Sequence, residues 1–485
     1  MKHLFLLSCV LSLSVCSNGQ EMFSEKAVER QLTTMADSLT AHLKEWEVPD
    51  RQFVITDYGA IGDSKTMNTA AIQRAIDECS YSGGGTVVVR NGDFVTGTIE
   101  LKSGVMLYVD KGARLLGSIS LSDYPERIEQ FPSVMRDVHR YRISLLYAEK
   151  ARNIGISGEG EIYFRGEREN FPGPETIGEI EGRPFGIRMI GCSNVVVKDI
   201  TLRNSAAWMQ SYIACNDMIF DRMKVVNQAN YNNDGLDPDG CRNVIVRRCH
   251  ISSHDDAMCL KTASGLANEN FLIENSVFHS ACNAFKFGTD TQGDFRNILA
   301  RNLKLGAIPK GEASLRGWHE CSTGITLATV DGGDVENVLI ENVSVDGARC
   351  PIFLRIGNRG RRYNSKMERP GRLHRIIIRN VTGKDNKRQG SLISGIPGYR
   401  IQDVLMHHVS LSMIGGGTEA MVNSNVAEKP GSYPDAQGFS RNGLPAYGFY
   451  IRHTENVKLE NISVTPTSPD ARPEIKWGID NQNSN

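Results

Sequence analysis

Five segments of this chain repeat one pattern: a polar residue, alternating apolar residues, a polar corner, then alternation again. They begin at Asn194 (Asn-Val-Val-Val-Lys-Asp-Ile-Thr-Leu), Asn243, Asn270, Asn337 and Asn456, with weaker copies from Asn153, Asp217, Asn297, Arg375 and Asp403. Alternation of period two marks a strand with one face in and one face out. The starts at 194, 217, 243, 270 and 297 are separated by 23, 26, 27 and 27 residues, and later intervals are longer, which places inserted loops there. A near-constant period of this size, with no helical hydrophobic pattern between strands, predicts an all-β solenoid, a parallel β-helix, rather than a sandwich. The leucine spacing of a leucine-rich repeat is missing. The plainer alternative is an ordinary β-rich protein with chance similarity among its Val/Ile/Asn segments.

A solenoid needs closed ends. Residues 68–80 (Asn-Thr-Ala-Ala-Ile-Gln-Arg-Ala-Ile-Asp-Glu-Cys-Ser) read as an amphipathic helix, with Ala71, Ile72, Ala75, Ile76 and Cys79 on one face and Asn68 or Thr69 as N-cap. This helix is expected to plug the N-terminal end, before Gly83-Gly84-Gly85 breaks it. A second helical stretch near Val28 to Trp46 is expected to pack outside. Lys2 and His3 precede an apolar run from Leu4 to Val15, too short to span a bilayer as a mature anchor. Residues 1–20 therefore read as a signal peptide, 21–50 as a helical extension and 51–485 as the β-helix. The expected location is periplasmic or extracellular. Leu13-Ser14-Val15-Cys16 is similar to a bacterial lipoprotein cleavage box, which admits lipid attachment at Cys16 and an outer-membrane lipoprotein; ordinary cleavage nearby is the alternative. No other segment is long and apolar enough to span a membrane.

Cys9 and Cys16 fall in the leader, leaving nine of 11 cysteines. Their odd number and the lack of a Cys-x-x-Cys pair signal neither a zinc site nor a disulfide scaffold, although one or two disulfides after export stay open. Cys241, Cys249, Cys259 and Cys282 are expected to stack as small side chains inside the coil. Net charge is −1, so no global charge points to nucleic acid or membrane. No cofactor or metal is expected, and the chain is expected to be a monomer.

Two carboxylate clusters lie one repeat apart, Asn233-Asp234-Gly235-Leu236-Asp237 and His254-Asp255-Asp256-Ala257, with 21 residues from Asp234 to Asp255. Residues one period apart stack on neighbouring strands at ~4.8 Å. Like charges brought together cost free energy and mark a functional site. Paired carboxylates are the working groups of glycoside hydrolysis. The alternatives are turn capping or a structural cation, since Asn-Asp-Gly is a common turn and Asp-Asp ligates Ca²⁺. Asp237 reads as turn-stabilising.

Over most of its length the chain resembles glycoside hydrolase family 28, the polygalacturonase-like, pectin-degrading enzymes. The resemblance rests on Phe53-Val-Ile-Thr-Asp-Tyr-Gly-Ala-Ile-Gly-Asp63 with the helix and glycine turn after it, Asn204-Ser-Ala-Ala-Trp208, Asn232-Asn233-Asp234-Gly235, Asp255-Asp256, and Ser394-Gly-Ile-Pro-Gly398. It implies a single-stranded right-handed parallel β-helix of pectin-lyase-like type, with the capping helix at its N-terminal end. It also implies an exported hydrolase cleaving galacturonate-containing poly- or oligosaccharide by an inverting acid/base mechanism. By the same resemblance Asp255 is the general acid, and Asp234 and Asp256 hold and activate the attacking water. Asn233 stands in the place of the family's threonine and Trp208 stands beside the cleft, and both, with Asn283, are expected to contact the substrate.

Two departures stand out. Cys282-Asn283-Ala284 occupies the place of the family's Gly-His-Gly, so Asn283 replaces a histidine and cannot titrate. The family's Arg-Ile-Lys, which grips a substrate carboxylate, is absent before Gly332-Gly333. Lys286, Lys261 and Arg355, the last within the basic run 355–362, are the candidate replacements, each against the plainer reading of a charge that balances nearby acids or a solvated loop. His250, His254 and His279 carry no assigned role, and His254 is expected to face away from Asp255. A β-helix polysaccharide lyase and a non-catalytic glycan-binding β-helix are the competing readings. Inserts after Leu305 and Ile356 would wall one end of a cleft and favour exo action.

Overall fold

The structure, a computed structural model, describes residues 23–127, 142–173, 182–361, 367–440 and 443–485. The leader at 1–20, with Cys16, lies outside the described residues.

All pairings between the strands are parallel, in stacked coils. One long sheet carries the repeats seen in the sequence. Two shorter sheets, of five and seven strands, run along another face and are joined by bridges Leu236↔Met258 and Asp239↔Lys261. One hydrophobic core fills the coil from Ile55 to Val464.

The repeat pattern has a backbone cause. Each repeat start, Asn153, Asn194, Asp217, Asn243, Asn270, Asn297, Asn337, Arg375, Asp403 and Asn456, adopts a left-handed conformation with φ between 51° and 61°. Asparagine and aspartate tolerate that region best among residues other than glycine. Their side chains then bond from coil to coil: Asn270 Nδ2 donates to Asn243 Oδ1 (3.1 Å) and Asn297 Nδ2 to Asn270 Oδ1 (3.1 Å). The polar corner repeats the device at Asn275, Asn302, Asn342 and Asn380.

Helix α2 (Thr69–Tyr81) closes the first coil, with Ala71, Ile72, Ala75, Ile76 and Cys79 buried in the main core. Asn68 sits at its N-cap position, but its side chain does not cap. Its Nδ2 donates to the carbonyls of Ile61 and Thr66, and its Oδ1 accepts from Ile61 N, so it ties the entering chain instead. Helix α1 (Glu25–His42) lies on the outer face of the long sheet. Val28, Leu32, Ala36 and Leu39 pack on Ile245, Leu272, Leu299, Leu339 and Ile377, one residue from each of five successive coils. Arg379 fastens it through Glu25 (3.1 Å) and Glu29 (2.6 Å).

The nine described cysteines form no disulfide. The expected column of Cys241, Cys249, Cys259 and Cys282 does not form. The column that stacks is Cys192, Cys215 and Cys241, which precede the paired residues Ser193, Asn216 and Arg242. Cys249 instead lies beside Ser276, and Cys259 pairs with Lys286.

Candidate active site

Where the long sheet gives way to the shorter ones, register fixes the acids. Leu236 bridges Met258, and Met258 pairs with Phe285. Two residues back in each coil stand Asp234, Asp256 and Asn283, and Asn283 pairs with Thr323 in the next. Backbone bonds hold the row: Gly235 N to Asp256 O (2.8 Å), Ala257 N to Asn283 O (2.9 Å) and Asp255 N to Asn233 O (3.3 Å). Asp234 and Asp256 are thus neighbours one coil apart. Asp255 is half-buried, whereas Asp234 and Asp256 retain 3% and 2% exposure. Carboxylate oxygens of Asp255 and Asp256 lie within 4.8 Å of each other, with Cys282 Sγ in the same group.

The two adjacent aspartates are driven apart electrostatically. Burial works against the charge on Asp256, but Lys286 and Lys261, with Asn283 Nδ2 donating, leave it below the usual carboxylate range. Lys286 Nζ lies 2.7 Å from Asp256 Oδ2, and Asn283 Nδ2 lies 2.5 Å from Oδ1. Thr323 Oγ1 donates to Asn283 Oδ1 (2.5 Å), which fixes the amide with its NH₂ toward the acid. Asp255 has no such pair of donors. Burial and the charge of Asp256 push its carboxyl up. Asp255 therefore holds a proton more tightly than its neighbour Asp256, the kind of division that glycosidic cleavage needs.

Lys261 occupies the other half of the cluster. Its Nζ is 3.3 Å from Asp234 Oδ2, 3.2 Å from Asp237 Oδ1 and 3.2 Å from Cys259 Sγ, and 4.4 Å from the Trp208 ring centroid. Trp208 in turn stacks on Phe185 at 5.3 Å. Asp234 is pushed well above the usual range by burial and by Asp237, against Lys261. Asp237 itself is pushed up to about 7, chiefly by burial. Asp237 is therefore not a turn residue: it lies on the strand Asp237–Asp239 and joins the cluster of acids. The sequence signal was its parity. On a strand, Asp237 and Asp239 share one face and the buried Leu236 takes the other.

Two predicted substrate contacts are structural instead. Asn233 is fully buried. Its Oδ1 accepts from Ala229 N (2.8 Å) and Asn230 N (2.6 Å), and its Nδ2 donates to the carbonyls of Ser205 (2.8 Å) and Ala207 (2.9 Å). It builds the turn that presents Asp234. Arg355 is 1% exposed and donates to Ser394 Oγ (2.8 Å), Gly395 O (3.0 Å), Glu428 O (2.7 Å) and Lys429 O (3.1 Å). Within the rest of the basic run, Arg359 is held by Asp331 and Asp290, whereas Arg361 is exposed. Arg362 lies outside the described residues.

Arg355 instead anchors a segment that sequence reasoning overlooked. Arg452 grips the same stretch through Ala427 O (3.0 Å) and Val426 O (2.5 Å). A few residues on, Tyr433 hangs over the acids, with its hydroxyl 3.4 Å from Lys286 Nζ and its ring half-exposed. Nothing local in the sequence marks Tyr433, because it reaches Lys286 across 147 residues. His254 is packed between Tyr231 (6.0 Å) and Trp318 (5.6 Å), its pKa pushed down to about 4 by burial and Arg316. Arg168 and Arg316 lie over the Tyr231 ring at 4.6 and 5.1 Å. Arg183 donates to Asn232 Oδ1 (2.8 Å) and Tyr231 O (2.5 Å) behind it.

Residues 79–282 match the model of Glycosyl hydrolases family 28. The chain is 23% identical over 441 residues to a "Probable polygalacturonase" of Vitis vinifera, covering 84% of this chain and 86% of the other. It is 25% identical over 424 residues to an "Exo-poly-alpha-D-galacturonosidase" of Dickeya chrysanthemi, covering 75% and 67%. Among solved structures it resembles a hyperthermoactive exopolygalacturonase of Thermotoga maritima, with TM-score 0.66 and 20% identity over 79% of this chain and 91% of that one. The fold is accordingly the right-handed parallel β-helix.

Proposed function

We propose that this chain, a hydrolytic enzyme that matches glycoside hydrolase family 28 over residues 79–282, cleaves galacturonosyl linkages in pectic poly- or oligosaccharide with inversion. Asp255 donates its proton to the leaving glycosidic oxygen. A water between Asp234 and Asp256, one coil apart, loses a proton to Asp256 as it attacks the opposite face of the sugar. The observation that carries this reading is the asymmetric environment of Asp255 and Asp256, adjacent in sequence, with Lys286 and Asn283 bonded to Asp256 and not to Asp255. A substrate carboxylate replaces the missing Arg-Ile-Lys contact with Lys286 and Lys261, the two buried ammonium groups of the cluster. The names of the similar enzymes support the galacturonate assignment.

Exo action is supported by the walls. The 307–320 segment brings Trp318 to one side and the segment held by Arg355 brings Tyr433 to the other. No described helix is long and apolar enough to cross a membrane. Export to the periplasm or beyond rests on the charged-then-apolar leader.

The test is product analysis of the purified protein on polygalacturonate, galacturonate oligomers of defined length and neutral pectic glycans. New reducing ends with monomer from the first time points are expected on the galacturonate substrates. A product with an ultraviolet-absorbing double bond would assign a lyase instead. Binding without turnover would leave a glycan-binding protein, and preference for a neutral sugar such as rhamnose would remove galacturonate.

A further inference from the structure

A second cluster of ionisable side chains lies on the outer face of the long sheet, apart from the acids. His250 and His279 both point outward, since the neighbouring Ile251 and Phe278 are fully buried in the core. His250 pairs with Val277, so His279 is one coil on and two residues along. Their rings are edge-on at 5.5 Å. Glu312 descends on them from the 307–320 segment. Its Oε1 is 3.6 Å from His250 Nε2 and 3.7 Å from His279 Nδ1.

These separations are too long for hydrogen bonds. His279 Nδ1 is withdrawn from solvent and has no hydrogen-bond partner. A buried ring nitrogen facing a carboxylate it does not touch is costly. Two imidazoles and a carboxylate around one point are, however, a recurrent donor set for zinc. Ligand atoms ~2.0–2.1 Å from a tetrahedral ion stand roughly 3.3 Å from each other, a few tenths of an ångström under the two His–Glu separations. The three ligand atoms lie within 4.8 Å of one another. Lys224 and Lys304 occupy the same register row as His250, but both are exposed and extend into solvent on long stems.

We propose that His250, His279 and Glu312 form a divalent-cation site of zinc type that pins the 307–320 segment to the coil, with water completing the shell. From the sequence alone no metal is expected, since the odd number of cysteines and the lack of a Cys-x-x-Cys pair signal no zinc site. The site instead joins ligands from two coils and an inserted loop. The segment is otherwise tied to the coil at its ends, by Ala307 N to Asp346 O (2.9 Å) and Arg349 to Glu320 (2.6 Å), and between them by Leu315 N donating to Gln228 Oε1 (3.3 Å). The segment carries Trp318, the ring against His254, so a bound ion would steady one wall of the cleft.

The test needs no catalytic readout, so it stands apart from the hydrolase assignment. Chelator-stripped full-length protein is titrated with Zn²⁺ by calorimetry, alongside His250→Ala and the loop variant Glu312→Gln, which leaves the coil untouched. One zinc per wild-type chain is expected. Each variant should weaken it by at least about tenfold, since even outer-shell changes cost that much, and zinc should slow proteolytic nicking within 307–320 in wild type alone. Absence of wild-type binding would overturn the proposal. So would equal uptake by both variants, which would place the zinc on groups elsewhere, such as the cysteines.

Discussion

Lys286 Nζ lies 2.7 Å from Asp256 Oδ2, with both side chains only 3% exposed. A buried pair of this kind is held by mutual need, because removal of either partner strands the other charge. Lys286→Met should therefore lower stability by roughly 3–5 kcal/mol, read by denaturant unfolding. The sign of the pH effect follows from the lowered pKa of Asp256. Its stabilisation is present above the unfolded carboxylate value near 4 and is lost as pH falls through the lower folded value. Without Lys286 that pKa rises, so the acidic limb of kcat/KM should move upward in pH. An unmoved limb would mean that Asp256 is not the base.

Asn283→Ala should leave Asp256 with its lysine but without its amide donor. Loss of one hydrogen bond to a charged group costs about 1–3 kcal/mol, hence a fall in kcat of roughly ten- to a hundredfold. Thr323→Val, one step further out, should act in the same direction but less. A Thr323 effect larger than that of Asn283 would contradict the chain of contacts.

Arg355→Ala should act at a distance. Its donors hold the carbonyls of Glu428 and Lys429, on the segment leading to Tyr433. Faster proteolytic nicking within 424–440 and a raised KM are expected, with kcat reduced less than in Lys286→Met. Equal loss of kcat in the two variants would return Arg355 to the cleft.

Asp239 gives a pH-dependence at a position outside the proposed acid and base. It is 6% exposed, accepts from Ser264 N (2.9 Å), and is pushed up to about 6 chiefly by burial. At this position the folded chain thus keeps a proton that the unfolded chain loses near pH 4, so the contribution of Asp239 to stability falls as pH rises from about 4 to about 6 and then levels. Asp239→Asn removes that fall, and at pH 8 the variant should gain up to about 3 kcal/mol relative to its standing at pH 4. Parallel stability–pH curves for both proteins would refute the assignment.

The solenoid was legible because each coil needs a left-handed residue at its corner and alternating apolar residues along its strand. Asn243, Asn270 and Asn297 write both needs into the chain at even intervals. Asp234, Asp255 and Asp256 were legible for the same reason, since one period in sequence is one step across the sheet. What the sequence hid was the use of each side chain once placed. Asn233 looked like a contact residue, yet its side-chain hydrogen bonds all go to backbone groups, of the turn at Ala229 and Asn230 and of Ser205 and Ala207, and Arg355 looked like a cationic patch while its guanidinium is spent on Ser394 and backbone carbonyls. Tyr433 and Glu312 come from inserts with no period, so nothing in the repeat predicts where they land.

The stereochemistry of the first product tests the central claim most directly. Asp255 and Asp256 oxygens within 4.8 Å are closer than the ~6.5–9.5 Å typical of acid and base in inverting enzymes, and nearer the ~5–5.5 Å of retaining ones. Inversion therefore depends on Asp234 and Asp256 holding the water between them. Proton NMR of the new reducing end, taken within minutes of adding enzyme to a galacturonate oligomer, reports the anomer before mutarotation. The expected result is the anomer opposite to the bond cleaved, with Asp255→Asn slowing its appearance by about 10²–10⁴-fold at little cost in substrate binding. A first product with retained configuration, or an Asp255→Asn protein that turns over at the wild-type rate, would contradict the mechanism.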